Sequence, residues 1–204
     1  MTLALFPLLI GTAEAEPVTY DLKGTLYVQV YKDPTTIAQA LAHDHVVKAV
    51  GWSGTATWDP EDSSACAMDI SLEVAKLEVD EKSVRERLGY DTFPREGERE
   101  DIREEMLGDK ALEADEHPNI TWKLTGCEFG ETRTNVTGDM TIHGTTTSIS
   151  LPMTVKADSV NFSAKGSTKI KATQFGMEPY SAGFGALKNQ DAMILVVSIH
   201  GTPQ

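Results

Sequence analysis

Six stretches of this chain alternate apolar and polar side chains with period two, and nothing else in its 204 residues limits the fold so tightly. In residues 18–32 the alternation puts Leu26, Val28 and Val30 on one face; in residues 68–79 it aligns Met68, Ile70, Leu72 and Val74. Ile120, Trp122 and Leu124 share a face in residues 119–129, as do Met140 and Ile142 in residues 136–143. Ile149, Leu151, Met153 and Val155 follow in residues 147–156, and Met193, Leu195, Val197 and Ile199 in residues 190–200. Strands expose successive side chains on opposite faces, so each stretch reads as a strand with one buried side. Short polar connections at Glu131-Thr132, His143-Gly144-Thr145 and Ala157-Asp158 fit hairpins. The count comes to about eight strands, each with one apolar face. That is what an antiparallel sheet closing on itself requires.

Residues 80–118 break the pattern. They hold 14 acidic and 7 basic residues of the chain's 49 charges. Asp80 stands before a short run with Val84 and Leu88 four apart and Gly89 after it, which predicts a capped two-turn helix. Residues 98–107 put Ile102 and Met106 on one side of a second, amphipathic helix. A helical insertion over about residues 80–116 is therefore expected. Its charges read as a solvated excursion between strands, and its few apolar residues as a lid.

The one long apolar run, residues 3–11, is followed by Ala13 and Ala15 ahead of Glu16. Small residues at those two places match the pattern a signal peptidase reads. Residues 1–15 are expected to be a signal peptide and residues 16–204 a single domain, which places the protein in the periplasm or outside the cell. The run is far shorter than the roughly 20 residues of a membrane-spanning helix, so stable membrane insertion is not expected. A net charge of −13 opposes binding to nucleic acid or to anionic headgroups. Cys66 and Cys127 are the only cysteines, and their spacing leaves pairing open. A homodimer is likewise left open.

The sequence lacks GxSxG, P-loop, dinucleotide-binding and HExxH patterns, so no enzymatic activity is expected. Its sharpest polar feature is His43-Asp44-His45: on a strand both imidazoles would leave one face, giving half of a metal shell or a haem ligand. This supports an alternative reading as a haem- or metal-binding redox protein. His143, beside Gly144, is expected to bond across its turn, and His117, before Pro118, to be an exposed or capping residue.

The apolar inventory is more informative. An eight-stranded barrel is either filled by its own side chains or holds one elongated guest. Trp, Phe and Met on the inward faces suit a hydrophobic, flexible ligand. Trp122, Met140, Ile142, Leu151, Met153 and Phe175 are the expected cavity wall, with Trp52 and Phe184 completing the set. Phe184, between Gly183 and Gly185, fits either a gating loop or a plain hairpin.

Several segments resemble the YceI-like family of periplasmic polyisoprenoid-binding proteins. Residues 136–146 (VTGDMTIHGTT), followed by Ser148-Ile149-Ser150-Leu151, are similar to its central motif. His117-Pro118-Asn119-Ile120-Thr121-Trp122 resembles its strand entry, residues 50–54 its hairpin, and Thr173-Gln174-Phe175-Gly176 a later turn. The resemblance spans roughly residues 18–200. It implies a mainly β, eight-stranded antiparallel, lipocalin-like barrel that holds an isoprenoid, quinone or fatty-acyl lipid, without catalysis.

Overall fold

The computed structural model describes residues 17–204; the expected signal peptide lies outside the described residues. Residues 17–204 form eleven antiparallel strands and two α-helices. In order they are β1 (Val18–Lys32), β2 (His45–Ala49), β3 (Ser53–Trp58), β4 (Ala67–Glu73), β5 (Leu77–Val79), α1 (Lys82–Arg87), α2 (Glu96–Leu107), β6 (Asn119–Phe129), β7 (Thr134–Ile142), β8 (Thr145–Ala157), β9 (Phe162–Lys171), β10 (Ser181–Ala182) and β11 (Leu187–Pro203).

Eight of these close a ring, β1–β3–β4–β6–β7–β8–β9–β11, and β11 returns to β1 along a register from Tyr20↔Pro203 to Lys32↔Asn189. Closure is what lets so long a sheet exist without open edges. Two of the strands beyond the expected eight, β2 and β5, arise because β1 is longer than β3; the third, β10, is a two-residue strand paired with β11. The first part of β1 pairs with β3 (Val18↔Trp58) and its later part with β2 (Val30↔His45), and β5 adds to β2.

The two ends of the barrel differ. At the base, Tyr20, Trp58 and Phe162 are buried, and Trp58 also meets Phe129, with ring centroids 5.3–5.8 Å apart. At the other end lie the start of β6, the β7–β8 turn and the close of β1, with α2 and the strap of residues 108–118 beside them. Two arginines fasten α2. Arg99 Nε donates to the Val79 carbonyl at 3.0 Å and Arg103 Nη2 to the Ala75 carbonyl at 2.6 Å.

Both expected helices form, but Asp80 does not cap the first. Glu81 holds that position, because the Asp80 carboxylate is taken by Arg85, His45 and the Val46 N–H. Among the described residues no helix is long and apolar enough to cross a membrane.

Candidate functional site

Exposure along the inward faces changes from base to mouth. On β1, Leu22 and Leu26 are buried while Val28 and Val30 are only half-buried; on β4, Met68 is buried but Ile70 and Leu72 are not. On β11 the order runs from buried Ile199 and Val197 to half-buried Leu195 and Met193. Inward apolar side chains stay accessible because they face open space. The barrel holds a cavity of about 1320 Å³ that reaches the mouth, and the buried aromatics of the base lie outside its lining. The cavity exceeds the volume of ordinary small-ligand pockets, which reach roughly 1,000 Å³.

Five of the expected wall residues, Trp122, Met140, Ile142, Leu151 and Met153, line this cavity. Trp122 is admitted by Gly138, where a Cβ would come within 2.4 Å of the indole. Three expected residues lie off the wall. Trp52 is half-buried beside Gly54 and donates its indole N–H to the Gly24 carbonyl at 3.3 Å. Phe175 is wholly buried in the core, in the turn after β9. Phe184 is fully exposed at the β10–β11 turn with φ +54, so this loop is a short hairpin with its aromatic outside. The physical reason is common to all three. Alternation dictates a facing only inside a strand, and each of them lies outside one.

The mouth is polar and partly covered. Ile102 and Met106 of α2 and Leu112 of the strap complete the apolar lining, so the thin stripe on α2 covers the cavity. Around them the wall turns hydrophilic with His43, His45, Lys110, Tyr180, Asn189 and Gln190. An apolar tube with a polar rim matches a molecule with an oily tail and a polar head.

His45 is positioned from behind. Its Nδ1 lies 2.7 Å from Asp80 Oδ2, and Asp80 Oδ1 accepts from Arg85 Nη1 at 2.6 Å and from the Val46 N–H at 3.0 Å. Arg85 is 1% exposed, reaches the Asp44 and Thr92 carbonyls and stacks on Tyr90. Burial alone would push the Asp80 carboxyl up, but His45, the Val46 N–H and Arg85 outweigh it and hold it below its ordinary value.

The His43–His45 pair gathers no further ligand among the described residues. His43 precedes β2 instead of sharing it, so the strand argument for two imidazoles on one face does not apply. The described His, Cys and carboxylate groups converge elsewhere, at Glu113, His117 and His143. His143 bonds not across its own turn but to the Phe175 carbonyl and Glu113; His117 is half-buried against His143. Cys66 and Cys127 are free thiols, and burial pushes both up.

A family model described as a YceI-like domain matches residues 29–199. The chain belongs to the YceI-like family. The solved structure of BcnA from Burkholderia cenocepacia superposes with a TM-score of 0.61 at 15% identity, covering 87% of this chain and 96% of that one. A YceI protein from Campylobacter jejuni gives 0.56 at 14% identity, covering 78% and 84%. At such identities the likeness is one of fold. No curated protein matches the chain. The YceI-like barrel is thus the frame on which this chain builds its own lining and mouth.

Proposed function

We propose that this protein is a carrier that sequesters a long-chain lipid, such as an isoprenoid, a quinone or a fatty-acyl chain, with its tail in the barrel and its head at the polar rim. The observation that carries this reading is the large cavity, lined mainly by apolar side chains. Membership of the YceI-like family supports it. Each methylene withdrawn from water contributes about 0.8 kcal/mol, so a ten-carbon tail supplies roughly 8 kcal/mol before ordering costs. The carrier needs no catalytic group. The apolar run at residues 3–11 and the small residues after it support a periplasmic or secreted location.

The test is solvent extraction of purified protein followed by mass spectrometry, with displacement of a fluorescent fatty acid by polyprenol. Val28→Trp and Leu72→Trp enlarge side chains that line the tube without adding charge. They are expected to lower probe binding about tenfold or more while near-UV circular dichroism stays native. Undiminished binding in both variants, or wild-type protein that takes up neither probe nor polyprenol, overturns the reading.

A further inference from the structure

The strap of residues 108–118 turns sharply at Glu113, whose φ is +45, and is held there by main-chain bonds from Glu113 N–H to the Gly108 carbonyl and from His117 N–H to the Glu113 carbonyl. This turn brings the side chains of Glu113 and His117 onto the β7–β8 hairpin. His143 sits in that hairpin with φ +50, another sparsely populated backbone state. Glu113 Oε2 lies 3.2 Å from His143 Nε2 and 3.6 Å from His117 Nε2. One ligand atom from each of the three residues lies within 4.8 Å of the others. The imidazoles meet edge to face with centroids 5.2 Å apart. Gly144 permits this, since a Cβ there would come within 2.5 Å of the His117 ring.

The hydrogen bonding decides which atoms are offered. His143 Nδ1 is 3.2 Å from the Phe175 carbonyl oxygen, which can only accept, so Nδ1 carries the hydrogen. Nε2 faces Glu113 Oε2 at 3.2 Å, a contact that a proton on Nε2 makes a hydrogen bond and that, without that proton, offers a nitrogen lone pair and a carboxylate oxygen to a cation. A metal cation placed between them would take the position of that proton. A backbone carbonyl holding the distal N–H is also how metal-ligating histidines are oriented. A tetrahedral ion about 2.1 Å from its ligands sets them about 3.4 Å apart, and the two Glu113–imidazole separations bracket that value.

We propose that Glu113, His117 and His143 bind a divalent transition-metal ion of the zinc class, with the remaining coordination position open to water at the partly exposed rim. Two imidazoles and one carboxylate suit such ions, whereas magnesium and calcium take all-oxygen sets. The three residues lie outside the cavity wall, so the site stands whether or not the barrel carries a lipid. A bound ion would tie the strap to the β7–β8 hairpin.

The experiment strips purified protein with a chelator, then titrates it with ZnCl2 by calorimetry and with CoCl2 by visible absorbance. Wild-type protein is expected to bind one equivalent of zinc and to give the intense bands of four-coordinate cobalt, with excess magnesium failing to displace either. Glu113→Gln and His117→Gln, both at partly exposed positions, are each expected to weaken binding about tenfold or more. His200→Gln, on exposed β11 surface, should bind as wild type does. Absence of one-to-one binding by stripped wild-type protein overturns the proposal. So does undiminished affinity in both variants, with circular dichroism reporting their folding.

Discussion

Asp80 and Arg85 show how a few buried polar atoms arrange the mouth. The Asp80 side chain is fully buried, and Arg85 spans it, the Asp44 carbonyl and the Thr92 carbonyl. Removing one partner strands the other charge, so Arg85→Ala is expected to destabilise the protein by about 3–5 kcal/mol in urea unfolding. Replacing both as Asp80→Asn with Arg85→Met should cost less, because no orphan charge is left. The pH dependence has a definite sign. Asp80 is held below its ordinary value in the folded state, so the unfolded chain binds more protons in the acid range. Its stabilisation is complete above the usual carboxylate pKa of about 4 and drains away as pH falls toward the folded value. Unfolding free energies measured across that window should slope upward with pH, and the slope should shrink in Asp80→Asn. None of this network was legible in the sequence, where Asp80 reads as a helix cap. Local spacing said nothing of β2 and Arg85 closing over it.

The helical insertion was legible as an element but not in its attachment. The apolar spacing of Ile102 and Met106 marks a face, and that face does meet the cavity. What holds α2 in place is Arg99 and Arg103, one turn apart, bonded to carbonyls of Val79 and Ala75 that no sequence pattern announces. The double variant Arg99→Ala, Arg103→Ala is expected to speed lipid release in stopped-flow displacement. The global melting temperature should change little, since single hydrogen bonds at the half-buried rim contribute modestly to stability. Ile102→Ser should act the same way by thinning the cover. A release rate equal to wild type in both would show that α2 does not gate the mouth.

The whole barrel divides into a solid base and a hollow upper part. Trp58 at the base is 3% exposed, so Trp58→Ala is expected to cost about 3–5 kcal/mol and lower the thermal midpoint. The hollow part carries less packing of its own, and on the proposed carrier reading an occupant would stabilise it. At a free lipid concentration 100 times Kd the gain is about 2.7 kcal/mol. Delipidated protein should therefore melt at a lower temperature, and polyprenol should restore the midpoint in differential scanning calorimetry. An unchanged midpoint on refilling would count against an occupant in the cavity.

Period-two alternation was enough to announce a closed antiparallel sheet and to aim Trp122, Met140, Ile142, Leu151 and Met153 inward, because a strand's pleat is a local property of the chain. It could not aim Trp52, Phe175 or Phe184, which stand in turns where facing depends on backbone angles and distant neighbours. Nor could it bring Glu113 and His117 to His143, or separate His43 from the face of His45. Those meetings depend on where long-range pairing and the strap's path place segments far apart in the chain, and only closure of the barrel sets that.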